Sequence, residues 1–230
     1  SVYKTEEFVN QYTYDGADLG ATWSKSSTTF KVWSPTASEM TLNLYKAGKA
    51  GVDDLIEKVE MTKGDKGVWE VTVDGDLNGT YYTYTVVNAG IAKEACDPYA
   101  KTTGVNGDRA MVIDMAATNP EGWDEDTNPH AGETFNDAVI YELHIRDASI
   151  GEDSGVSEAN RGNFLGLTET GTKTPGGVST VLDHMVDLGI THLHLLPMYD
   201  FSSVDEETDG HNWGYDPKNY NVPEGSYSSD

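Results

Sequence analysis

Between His211 and Tyr227, seventeen residues bring together the side chains best suited to chemistry in this sequence. His211, Asn212, Trp213, Gly214, Tyr215, Asp216 and Pro217 run consecutively, and Tyr220, Asn221, Pro223, Glu224, Gly225 and Tyr227 follow at short intervals. Prolines and glycines at this density rule out a helix or a central strand and predict a long loop held in one shape. Flat rings can cover the apolar face of a pyranose, while carboxylates and amides take its hydroxyls. Asn212, Trp213, Tyr215 and Asp216 are therefore the candidate substrate-binding residues, and the chemistry they suggest is sugar recognition. Standing alone, the same stretch would also read as an aromatic-anchored structural loop. Its position after a strand–helix–strand pattern favours the sugar site.

That pattern begins at residues 138–147, a strand with Val139, Tyr141, Leu143 and Ile145 on one face and Ile140, Glu142, His144 and Arg146 on the other. Val178, Val181, Leu182, Met185 and Leu188 then fall on one helix face, with Gly189 placed to terminate it. Residues 190–196 form a second strand, ended by Pro197. Strand, helix, strand is the unit of a parallel sheet. Apolar runs broken by polar residues suit a barrel interior, so 134–230 reads as the first part of a (β/α)8 barrel. The sugar loop then hangs from the carboxyl end of a barrel strand, where such barrels place their active sites. Two strands leave an open edge, so a further polypeptide, in cis or as a second chain, is expected to complete the cylinder.

Upstream the text changes to short alternating runs at 29–33, 40–45, 68–73 and 81–87, with 110–114 as a last strand. Glycine, proline and asparagine punctuate them, which predicts an antiparallel, immunoglobulin-like β-sandwich over 1–118. Residues 1–18 read as a poorly packed lead-in. Residues 119–133, with Pro120, Pro129 and five acids, read as a linker that Trp123 pins to a neighbour.

The 230 residues carry 39 acidic and 15 basic side chains, a formal charge of −24. Such a field repels phosphate backbones and anionic lipid, which excludes nucleic acid as a partner, and no apolar run is long enough for membrane insertion. A neutral glycan meets no such barrier. Cys96 stands alone and reads as a small core residue. The first residue is not Met, as after removal of a leader or tag, and the compartment stays undecided.

Other groupings admit two readings. His192 and His194, two apart on a strand, have a spacing that can hold Zn²⁺; the preferred reading is an interior network with Glu142, His144 and Arg146. Asp200, Asp205, Glu206, Glu207 and Asp209 offer oxygen ligands for a structural Ca²⁺, but their spacing matches no calcium loop and an exposed acidic loop is preferred. No cofactor is otherwise expected. Trp33, Trp69 and Tyr82 read as sandwich core rather than a glycan platform. Gly176 and Gly177 lack the rest of a phosphate loop. Asp147 and Asp216 are not read as a catalytic pair.

Several strings together resemble a known family. They are Tyr141 to Asp147 (Tyr-Glu-Leu-His-Ile-Arg-Asp), Leu165 to Thr168, Gly171 to Thr180, Leu195 to Pro197 and Asn212 to Pro217 (Asn-Trp-Gly-Tyr-Asp-Pro). They resemble type I pullulanases, starch-debranching members of the α-amylase superfamily (glycoside hydrolase family 13). Residues 33–37 and 97–99 make the sandwich similar to the family 48 carbohydrate-binding module that precedes their barrels. The resemblance implies retaining hydrolysis of α-1,6 branch bonds in pullulan, branched maltodextrin, starch or glycogen fragments. It places the Asp nucleophile and the Glu acid/base on later barrel strands, so no residue of this chain is expected to be catalytic and the chain alone is expected to be inactive. Tyr215 would stack on the sugar before the scissile bond, Asp216 would bind its hydroxyls, and Asn212 and Trp213 would shape that wall. Two departures stand out: His211 where the family usually has Tyr, and Ala148 where Phe is common. Isoamylases and branching enzymes share the architecture, and a non-catalytic glycan-binding protein would share the loop and the sandwich.

Overall fold

The computed structural model describes residues 2–208 and 210–229. They fall into two compact units, one of 1–118 with 219–222, the other of 119–218 with 223–230.

The first unit is a β-sandwich. One sheet orders β1 (Gly20–Trp23), β2 (Ser27–Trp33), β6 (Val68–Asp74) and β5 (Thr62–Lys63). The other orders β4 (Leu55–Glu60), β3 (Glu39–Tyr45), β7 (Tyr81–Asn88) and β8 (Ile91–Ala95), and β9 (Ala110–Met111) also pairs with β7. Every pairing in both sheets is antiparallel. Period-two patterning drives this arrangement: Thr28, Phe30 and Val32 point inward from β2, and their neighbours do not. Phe30, Leu42, Leu44, Tyr82 and Tyr84 form the centre of the core, each apolar side chain contributing roughly 1.5–3 kcal/mol by burial. The phenol hydroxyls need partners in that dry layer. Tyr82 donates to Asp97 Oδ2 at 2.7 Å, and Asp97 Oδ1 accepts from Tyr99 N at 2.8 Å. Burial raises the Asp97 pKa despite these donors.

Trp69 and Tyr82 are core residues, and Cys96 packs half-buried against the same core. Trp33 is not: its ring is 40% exposed, held at its edge by Nε1 donating to the carbonyls of Tyr12 and Lys66. It ends β2 on the outward phase of the alternation. The lead-in contains a short helix, α1 (Glu6–Tyr12), capped by Thr5 and burying nothing. The last strand stops at Met111 rather than 114. Strands β4 and β8 carry no buried alternation, which is why pattern reading passed over them.

In the second unit β10 (Ile140–Leu143) and β11 (His192–Leu195) pair in parallel, Ile140 opposite His192 and Leu143 opposite Leu195. Helix α2 (Val181–Leu188) connects them and ends at Gly189, whose φ of 69° is the left-handed conformation glycine favours. The first strand is shorter than its pattern, because Ala148 N reaches back to His144 O at 3.0 Å and turns the chain. Val139, Ile140, Val186, Leu188 and Leu193 remain exposed. Trp123 is 57% exposed, so it does not pin residues 119–133 in place. Two short strands follow, β12 (Tyr199–Phe201) and β13 (Pro217–Pro223). A strand over 217–223 corrects the expectation of continuous loop: the two prolines sit at its ends, where a missing N–H costs the ladder least.

Candidate functional site

Residues 211–216 are shaped by local geometry before any tertiary contact. Asn212 Oδ1 accepts from Gly214 N at 2.7 Å, a side chain closing its own turn. Gly214 then takes a φ of +85°. Its missing side chain leaves room for the carbonyl of Pro197, with which any Cβ would collide. Asn212 Nδ2 donates to Ser203 Oγ at 2.6 Å, and the Asn212 carbonyl lies 2.6 Å from His144 Nε2. A carbonyl can only accept, so Nε2 of this buried histidine carries the proton. Tyr227, itself buried, places its hydroxyl 3.1 Å from the same nitrogen.

Fixing the backbone this way turns the rings outward. Trp213 is 59% and Tyr215 70% exposed. Asp216 sits beside them, its Oδ2 accepting from Ser202 Oγ at 3.2 Å. Hydrogen bonds from Ser203, then Asn212 and Ser202, hold its carboxyl below the usual aspartate range. An ionised acceptor next to an open ring is what a pyranose needs from a wall: a face to lie on and a strong acceptor for its hydroxyls. All four candidates, Asn212, Trp213, Tyr215 and Asp216, lie in this turn. Asp147 belongs to another set, with Oδ2 3.3 Å from His211 Nε2.

The expected interior network of His192, His194, Glu142, His144 and Arg146 does not form as one cluster. His194 lies 3.8 Å from Glu142, His192 contacts Thr191 Oγ1 at 2.7 Å, and His144 has left the strand for the turn under Asn212. His192 and His194 are exposed, and they appear in no metal-ligating group among the described residues.

The acidic loop is not uniformly exposed. Asp205 and Glu207 are, but Asp200 is fully buried, Glu206 is half-buried, and both converge with Glu224. Asp209 lies outside the described residues. Glu224 accepts from Phe201 N at 2.9 Å and Ser226 N at 3.1 Å, while burial raises its pKa. Three carboxylates are the all-oxygen donor set that Ca²⁺ takes. Pattern reading missed Glu224 because it lies 24 residues after Asp200. It missed Ser202 and Ser203 as well, since no spacing rule marks a serine as a support.

The sandwich carries a separate cleft of about 540 Å³. Arg109 lies over the Tyr45 ring at 3.7 Å and pairs with Asp54 at 3.0 Å. Tyr45 and Thr83 donate to Glu94 Oε1 at 2.6 and 2.5 Å.

Residues 18–100 match the model of carbohydrate-binding module 48 (isoamylase N-terminal domain). The chain is 41% identical to the pullulanase of Bacillus subtilis (strain 168), over all of this chain and 30% of that protein. It is 33% identical to pullulanase 1, chloroplastic, of Arabidopsis thaliana, over 95% of this chain and 26% of that one. Among solved structures, the apo pullulanase of Paenibacillus barengoltzii superposes with a TM-score of 0.92 at 48% identity, covering 99% of this chain and 35% of that one. The pullulanase of Anoxybacillus sp. LM18-11 complexed with maltotetraose gives 0.88 at 42%, covering 99% and 32%. Isoamylase SU1, chloroplastic, of Zea mays is more distant, at 27%. The chain is thus similar in sequence and fold to the N-terminal region of these pullulanases, and it spans about a third of the length of the relatives it matches.

Proposed function

We propose, on the premise that this chain corresponds to the N-terminal part of a pullulanase-type glycoside hydrolase, that the complete protein cleaves α-1,6-glucosidic branch bonds. Its substrates are pullulan and branched fragments of starch or glycogen, and its mechanism is retaining. Within this chain, residues 1–118 are the carbohydrate-binding-module-like sandwich, 119–133 a linker, and 134–230 the opening portion of a (β/α)8 catalytic barrel. The parallel pair β10–β11 with its helical crossover supports the barrel reading. So do the apolar side chains left open on it, among them Ile140, Val186 and Leu193. The remaining barrel, in cis or as a second chain, covers them.

Tyr215 carries the sugar-binding reading: a ring 70% open to solvent on a turn that hydrogen bonds fix from beneath. It stacks on the glucose unit just before the scissile bond. Asp216, already ionised, accepts from that unit's hydroxyls and holds them more strongly as the ring flattens toward an oxocarbenium-like transition state. Trp213 and Asn212 close the wall. No residue of this chain supplies the nucleophile or the acid/base. The proposed chemistry needs no cofactor, and a structural Ca²⁺ at Asp200, Glu206 and Glu224 would serve the fold. Neither nucleic acid nor membrane is a partner under this reading: the charge is −24, and no described helix is long and apolar enough to cross a membrane.

Product analysis tests it. Given pullulan, the complete protein should release maltotriose, whereas an isoamylase or branching type should scarcely touch this substrate and a binding module should leave it intact. Residues 1–230 alone should release nothing. Hydrolysis by that piece would contradict the placement of the catalytic pair.

A further inference from the structure

His144, Asp147 and His211 bring one potential ligand atom each to within 4.8 Å of one another. We propose that they form a binding site for a first-row divalent transition ion, with Zn²⁺ the expected occupant. The inference does not rest on the sugar reading.

A tetrahedral Zn²⁺ with bonds of about 2.0–2.1 Å separates neighbouring donor atoms by roughly 3.3 Å. His211 Nε2 lies 3.3 Å from Asp147 Oδ2, and His144 Nδ1 lies 3.7 Å from Asp147 Oδ1. One carboxylate therefore bridges two imidazoles at nearly the separation a shared ion would impose.

His144 Nε2 must donate to the Asn212 carbonyl, 2.6 Å away. That leaves Nδ1 with its lone pair turned toward Asp147. A ligating histidine characteristically donates its other ring nitrogen to a carbonyl or carboxylate, which fixes both tautomer and orientation. His144 is 5% exposed and already held in that state. The Asp147 amide approaches Nδ1 only at 3.3 Å, a weak competitor for the lone pair.

The cluster is open on one side. The His211 and Asp147 side chains are 36% and 46% exposed, so an ion can enter and keep water in a fourth position. The rings of His144 and His211 stack at 4.8 Å with 25° between planes. A shared ion would require the His211 ring to turn about its Cβ–Cγ bond, which its exposure permits. Two imidazoles and a carboxylate select Zn²⁺, Co²⁺ or Ni²⁺ over Ca²⁺ and Mg²⁺, which prefer oxygen. Among the described residues no other set that contains a histidine brings three potential ligand atoms this close together.

The test is calorimetric titration of ZnCl2 into the complete protein after chelator treatment and desalting, beside His211→Tyr. Tyr keeps an aromatic ring at this half-exposed position, so the fold should survive; an unchanged melting curve of the metal-free variant verifies that. One zinc isotherm that weakens at least tenfold in His211→Tyr, and persists in a His192→Gln control, supports the site. So does a Co²⁺ visible absorption band lost in the same variant. Equal binding by wild type and His211→Tyr, no isotherm at all, or displacement of zinc by equimolar CaCl2 would overturn it.

Discussion

Gly214 approaches the carbonyl of Pro197 so closely that no β-carbon fits between them. The glycine lies within the turn that carries the exposed rings, and the proline ends the segment leading out of β11. Their contact is what ties the exposed rings of Trp213 and Tyr215 to the parallel strand pair. Two penalties meet at this point, a φ of +85° and a steric clash. Gly214→Ala is therefore expected to cost more than about 1 kcal/mol, the ordinary scale of such strain. Thermal melting measures the loss, and turnover of the complete protein should fall with it. An unchanged melting temperature would mean that the turn relaxes freely.

Asp216 should titrate unusually low. Its folded pKa is depressed by the hydrogen bonds from Ser203, Asn212 and Ser202. A depressed acid contributes stability that is present above its unfolded pKa and lost as pH falls through its folded value. The turn should therefore keep an ionised Asp216 at pH values where an ordinary aspartate, near 3.9, is half protonated. Carboxyl-carbon NMR reads this directly. Ser203→Ala should move the Asp216 midpoint upward, and a midpoint that stays put would remove the serine from the account.

In the sandwich, Tyr82→Phe should remove a hydrogen bond to a buried carboxylate at the cost of about 1.5–3 kcal/mol. The sign with pH is opposite to that of Asp216. Burial raises the Asp97 pKa, so its contribution is fully present below the unfolded value and lost as pH rises through the folded one. Without the phenol the carboxylate is harder still to ionise. The stability gap between variant and wild type should widen from mildly acidic to neutral pH in chemical denaturation. A gap that narrows would contradict the role of the phenol as a donor that favours the ionised Asp97.

How much of this was legible beforehand follows the physics of each signal. Strands such as β2 and β7 were readable because alternation reports a half-buried sheet, and Gly189 because a left-handed helix stop demands glycine. β4 was not, since an edge strand exposed on both faces carries no alternation. The side chains proposed to contact sugar were readable as a string of types. Their supports were not: His144 and Asn212 are 68 residues apart, and the pattern of 138–147 put that histidine on a continuing strand. The strand instead turns at His144, which moves the histidine beneath the loop. Glu224 was hidden for the same reason, its partners Phe201 and Asp200 lying on β12, far from it in sequence.

The account stands most directly on Tyr215. The measurement is the initial rate of maltotriose release from pullulan by the complete protein and by its Tyr215→Ala variant, with melting curves for both. A side chain 70% exposed contributes little to folding, so the two should melt within about 0.5 kcal/mol of each other. Turnover should nevertheless drop by about tenfold or more, the equivalent of roughly 1.4 kcal/mol of lost transition-state binding. Equal rates for the two proteins would contradict the stacking role and, with it, the sugar site built on this turn.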